Sequence, residues 1–417
     1  MTERAPPTPV GSVYGFTFVN SLGTGVITGA LFFLANGAYG FSRSENFLLG
    51  MVQGVTYIIA ASSSGRLVTW LGKRGLSHRT LLGIVMTALA ALCWVPLLAK
   101  WGSGPGGKPR AWPIWVLAAA YMPVTGVLWP LIEAYLSGGR SGATLRRALS
   151  FWNVVWSSAI PVAYVVMAPF IKTRADGGTL AAEGIAAMGG AHVLAAFLLT
   201  RFAPSPAPHI HEEHEPHPEV YERLLVSFRW LLPTSYLVQS ALTAYLPEAM
   251  GVLGIVKQHR TVAATAWLLP RVGVFALFGF WGRWHGRWWP TVVGGASMIA
   301  GFLLCVAAPM LAGSAGLVAL FAGLPLFGVG MGIIYSGAIY YALEVGKAEV
   351  DAGGTHEALI GVGYLVGPGC GFAAAWATDR GLFPEERFNP VFMAVVAAIA
   401  LSVCTGVFWR STHASRR

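Results

Sequence analysis

Apolar residues fall into twelve stretches of roughly 20, and one longer polar segment from Arg201 to Arg223 divides them six and six. The pattern places helices over 12–36, 46–70, 79–99, 113–137, 147–171 and 183–201 in the first half. In the second half it places them over 224–248, 261–282, 289–311, 316–343, 356–378 and 389–410. A hydrocarbon core roughly 30 Å thick admits only segments that satisfy their own backbone hydrogen bonds. The expected fold is therefore an all-α integral membrane protein with twelve transmembrane helices in two six-helix bundles. Residues 1–201 form one bundle, 202–222 a cytoplasmic linker rich in His, Glu and Pro, and 223–417 the other bundle. The first apolar stretch, Gly15 to Ala35, is of span length and is expected to stay as the first helix, not to be cleaved as a signal.

Composition agrees with this reading. With 55% hydrophobic and 11% charged residues in 417, too little polar surface remains to solvate a water-soluble fold of this size. The net charge of +10 does not point to nucleic acid, because the basic residues sit in short loops beside the spans. Arg66, Lys73, Arg74, Arg79, Arg140, Arg146, Arg147, Arg283 and Arg287 fall on one side, which places both termini in the cytoplasm and the chain in the cell (inner) membrane. Cys93, Cys305, Cys370 and Cys404 lie inside apolar stretches without CxxC spacing and read as packing residues. The linker carries His209, His211, His214 and His217 among glutamates and prolines. It reads either as a metal-capture loop or as a solvated, proline-stiffened connection. No GxxxxGK[ST] run is present to bind ATP, and no cofactor is implied.

The halves also repeat each other. Gly65 to Arg74 after span 2 corresponds, displaced by 214 residues, to Gly279 to Trp288 after span 8, with Gly72 matching Gly286 and Lys73 matching Arg287. Gly126 to Pro130 in span 4 likewise corresponds to Gly332 to Ser336 in span 10. Six plus six spans, a polar central linker and this Gly-rich basic turn resemble the major facilitator superfamily over essentially the whole chain. Thr69 and Trp70 stand where that family usually has Asp and Arg. The resemblance implies a secondary transporter working by alternating access; a monomer, and a symporter coupled to a proton or cation, are the accompanying expectations. It implies no enzymatic activity. Gly65, Gly72, Lys73, Arg74, Gly279, Gly286 and Arg287 would form the cytoplasmic gating turns.

Charges inside a span each need an aqueous cavity, a partner or a route to the interface. Arg271, directly after Pro270 near the middle of span 8, is the strongest candidate for binding substrate, and the 214-residue offset pairs it with Tyr57 in span 2. Arg229 in span 7 reads either as a second binding arginine or as a side chain reaching the headgroups. Glu133 and Glu357 are candidates for proton coupling or gating, and His192 reads as a packing histidine. Gln53, Trp152, Asn153, Trp156, Tyr236, Gln239 and Tyr335 complete the set at cavity depth. Trp152 and Trp156 share one helical face and can stack on a planar solute, or can simply pack. Two central arginines favour a small organic anion, with a sugar or nucleoside as the alternative. A non-transporting sensor or a metal-binding protein using the linker histidines is the reading from another class.

Overall fold

In the computed structural model, which describes residues 7–102, 110–140, 142–171, 179–208, 218–345 and 350–414, twelve long helices follow one another. The first bundle contains α1 (Val10–Tyr39), α2 (Arg43–Lys73), α3 (His78–Trp101), α4 (Trp112–Ser137), α5 (Gly142–Met167) and α6 (Ala181–Leu198). The second contains α7 (Glu219–Val252), α8 (Lys257–Phe280), α9 (Trp289–Ala307), α10 (Ser314–Glu344), α11 (Val350–Asp379) and α12 (Phe388–Ala414). Eleven of these helices are long and apolar enough to cross a membrane. The exception, α7, buries Ser227, Thr234, Ser235, Ser240 and Thr243 on its inner side and starts and ends near Glu219, Glu222 and Glu248. It begins four residues before the boundary expected at 223. The linker histidines 209, 211, 214 and 217 lie outside the described residues.

Local signals set the helix ends. Ser42 and Glu45 form a reciprocal capping box at the start of α2, and Gly40, at φ 72°, stops α1. The Gly65–Arg74 segment was expected to be a turn, but α2 runs through Lys73, so Gly65 and Gly72 are helical. The reversal is made by Gly75 at φ 87°. A residue pattern with helical propensity on both sides of Gly72 extends the helix, and only Gly75 must adopt the left-handed conformation. In the second copy Gly279 is still helical in the last turn of α8, close to Ser150, whereas Gly286, at φ 68°, does turn the chain. Lys73, Arg74 and Arg287 are exposed at that end.

The two bundles meet where α2 packs on α11 and α5 packs on α8. Exchanging the halves turns one of these pairs into the other, which is the signature of a twofold relation between repeats. The repeat extends to single contacts. A Cβ on Gly126 of α4 would meet the Tyr57 carbonyl at 3.3 Å and Ala60 at 3.1 Å, and one on Gly332 of α10 would meet the Arg271 carbonyl at 3.2 Å and Val274 at 2.8 Å. Tyr57 with Arg271, and Ala60 with Val274, are the partners at the 214-residue offset. Large apolar side chains such as Phe197, Phe280 and Val318 point outward, as befits a multi-pass integral membrane protein.

Candidate functional site

Between the bundles lies a cavity to which eight of the described helices contribute. From α5 come Trp152, Trp156, Ile160 and Tyr164, spaced every four residues along one face. Arg271 and Trp267 enter from α8, Tyr236, Gln239 and Thr243 from α7, and Glu357 and Tyr364 from α11. Tyr57 of α2, Trp129 of α4 and Tyr335 of α10 close the remaining walls.

Helix α1 reaches the cavity through an irregularity. Residues Val26–Ala30 form a π-helical turn, a feature that occurs often at functional sites. It brings Thr24, Gly25, Thr28 and Gly29 to the wall. Gln53, expected to bind substrate, is instead buried against this turn and donates from Nε2 to the Ile27 carbonyl at 2.8 Å. The Thr28 hydroxyl donates to the Thr24 carbonyl at 2.8 Å, which leaves its oxygen free to accept from the cavity.

Arg271 is 3% exposed, and its Nε and Nη2 have no hydrogen-bond partner. Its guanidinium carbon lies 4.8 Å from the Trp267 ring centre, 5.1 Å from that of Trp156 and 6.0 Å from that of Phe275. Cation–π contact of this kind contributes about 2 kcal/mol when desolvated, whereas burying an unpaired ion costs several kcal/mol, so the rings alone do not compensate this charge. The arrangement lacks an acceptor, and the cavity is where one can enter.

Glu357 is 5% exposed and accepts a hydrogen bond from the Tyr57 hydroxyl across the bundle interface. Tyr364 stands edge-on to both Tyr57 and Tyr236, at 5.8 Å and 5.4 Å. Trp156 meets Tyr335 edge-on at 5.4 Å. The result is an aromatic box with a guanidinium in one wall and a carboxyl group in another.

Not every expected residue lies here. Arg229 is exposed and away from the cavity, because its position on α7 turns it outward, so one arginine and not two faces the solute. Asn153 does not line the wall; its Oδ1 accepts from Trp156 Nε1 at 3.0 Å and so orients that ring. Glu133 lies behind the wall near Glu357, with its Oε1 unbonded. His192 is fully buried against the Tyr121 hydroxyl at 2.7 Å, as a packing histidine. Trp129, Tyr164 and Tyr364 were not singled out from sequence. Tyr164 was within reach of the stripe Trp152–Trp156 extended by two more turns, and Tyr364 of the i, i+7 spacing from Glu357.

The chain shares its fold with the nucleoside transporter NupG. A point variant of NupG superposes with a TM-score of 0.63 at 12% identity, covering 96% of this chain and 99% of that one. The NupG structure without that substitution gives 0.61 at 13% identity, covering 96% and 98%. No family model and no curated protein matches by sequence. The likeness at this identity concerns the fold, two six-helix bundles around a central cavity.

Proposed function

We propose that this chain is a secondary transporter that carries a small organic solute across the membrane by alternating access, with the central aromatic cavity as its binding site. The observation that carries this reading is the buried Arg271 guanidinium, which lines the cavity between the bundles and has two nitrogens without a hydrogen-bond partner. A solute that presents an anionic or strongly accepting group there gains two parallel charge-assisted hydrogen bonds. The rings of Trp152 and Trp156 supply a face on which a planar part can stack.

Nucleosides are the second reading. The aromatic lining and the acceptors Thr28 and Gln239 suit a base and its sugar, and the protein named as sharing the fold is a nucleoside transporter. Coupling to a proton would run through Glu133, whose Oε1 has no hydrogen-bond partner and which lies within electrostatic reach of Glu357. Uptake into proteoliposomes from a panel of organic anions, sugars and nucleosides tests the reading. Flux of one class, lost in Arg271→Gln, is the expected result. An imposed pH gradient should drive that flux and fail to do so in Glu133→Gln. Absence of any saturable flux, with Arg271→Gln as stable as the parent, would remove the transporter reading. Both termini in the cytoplasm is the orientation we propose, to be checked with terminal reporter fusions.

A further inference from the structure

Arg271 and Glu357 line one cavity without satisfying each other. Glu357 is hydrogen-bonded to Tyr57, while Arg271 Nε and Nη2 have no partner. Tyr236, Tyr335 and Tyr364 line the same cavity, each within electrostatic reach of both. The cavity therefore holds a cation and an acid that do not pair with each other, with hydroxyl-bearing rings in reach of both. A solute that is only anionic compensates the guanidinium and leaves the carboxylate unpaired, a solute that is only cationic does the reverse, and a neutral one compensates neither.

We propose that the solute is a ring-bearing zwitterion, with its anionic group on the free edge of Arg271 and its cationic nitrogen among Tyr57, Tyr236 and Tyr364 against Glu357. This rests on the reading of the cavity as the solute site. The geometry at the acid end is that of an aromatic cage: Tyr364 is steeply inclined to Tyr57 at 85° and to Tyr236 at 80°, so the rings offer faces from more than one direction. Ring faces attract cationic nitrogen, and a carboxylate at the base adds a full counter-charge. At the other end, Trp156 and Trp267 flank the guanidinium, and its Nε and Nη2 lack the acceptor that a carboxylate or phosphate group would supply. Both poles come from the second half, Arg271 on α8 and Glu357 on α11, while the first half contributes Tyr57, the repeat partner of Arg271, which donates a hydrogen bond to Glu357.

The cavity contains Trp129, Trp152, Trp156 and Trp267, so occupancy can be read by quenching of intrinsic fluorescence without any transport assay. The full-length protein in detergent is titrated with 3-[4-(2-aminoethyl)phenyl]propanoate and its N-trimethyl derivative as zwitterions, 3-phenylpropionate as the anion, 2-phenylethylamine as the cation and uridine as the neutral solute. The zwitterions are expected to bind at least about tenfold more tightly than the other three. In Glu357→Gln the zwitterions should fall to the affinity of 3-phenylpropionate, and in Arg271→Gln to that of 2-phenylethylamine. Tighter binding of 3-phenylpropionate, 2-phenylethylamine or uridine than of both zwitterions overturns the inference and leaves the cavity as the solute site. Quenching by none of the probes counts against both. The ranking on the unaltered protein decides the matter even where a variant does not fold.

Discussion

A guanidinium with two unbonded nitrogens between Trp156 and Trp267 tolerates replacement poorly in one respect and well in another. Arg271→Lys keeps the charge but loses the planar fork, so solute affinity should fall by about tenfold, measured by the same fluorescence titration, while thermal stability stays near that of the parent. Gln53→Leu does the opposite. It removes the donor to the Ile27 carbonyl inside the π turn and should cost about 1–3 kcal/mol in unfolding experiments, with a secondary loss of affinity as Thr28 shifts. A larger effect on affinity than on stability would mean that Gln53 meets the solute. At this scale the sequence located Arg271, Tyr57, Trp152, Trp156, Tyr236, Gln239, Tyr335 and Glu357, all of which line the cavity. Depth in a span is readable because each residue advances a helix by about 1.5 Å. Which way a side chain faces is set by the neighbouring helices, which is why Arg229 and Gln53 came out elsewhere.

Among the helices, glycines decide how closely the bundles approach. A Cβ on Gly54 of α2 would meet the backbone of Leu365 in α11, with the Leu365 Cα and the Tyr364 carbonyl carbon at 2.6 Å. Backbone cannot move aside as a flexible side chain can, so Gly54→Val should force α2 and α11 apart. The expected result is a destabilisation of about 1–3 kcal/mol by thermal unfolding, together with loss of solute binding because Tyr57 and Tyr364 flank the contact. Gly72 has nothing within 4 Å of an added Cβ. Gly72→Ala, in the same helix, should be neutral or stabilising by up to about 1 kcal/mol. The glycine-rich character of spans 10 and 11 was plain from composition, but static packing and close approach predict the same composition. Only the positions of Leu365 and the Trp267 carbonyl, against Gly54 and Gly328, show which glycines are required. The π turn in α1 left no pattern in the sequence, since one extra residue in one turn hardly disturbs an apolar run of span length.

Across the whole molecule, the bundles are tied at both ends. At the α1–α2 end Arg43 pairs with Glu248 and Glu385 while lying 3.9 Å over Phe388, and Ser44 donates to Asp379 at 2.5 Å. At the opposite end Arg146 pairs with Glu344 at 3.0 Å. Alternating access requires these ties to open in turn. A Ser44→Cys/Asp379→Cys protein joined by a short cleavable reagent should lose at least about tenfold in flux and recover it on cleavage, while solute binding persists. Unchanged flux in the joined protein would show that this end does not open during transport. The sequence by itself determined the order of the twelve long helices, eleven of them apolar enough to cross a membrane, and the depth of the charged residues, because hydrocarbon penalises every unpaired polar group along a helix and so writes the span pattern into composition. Only the tertiary structure decided that Tyr57 meets Glu357, that Arg271 stays unpaired and that Arg43 clasps the other bundle. These contacts join residues hundreds of positions apart, and helix rotation and bundle docking, which no local pattern encodes, set which of them face each other.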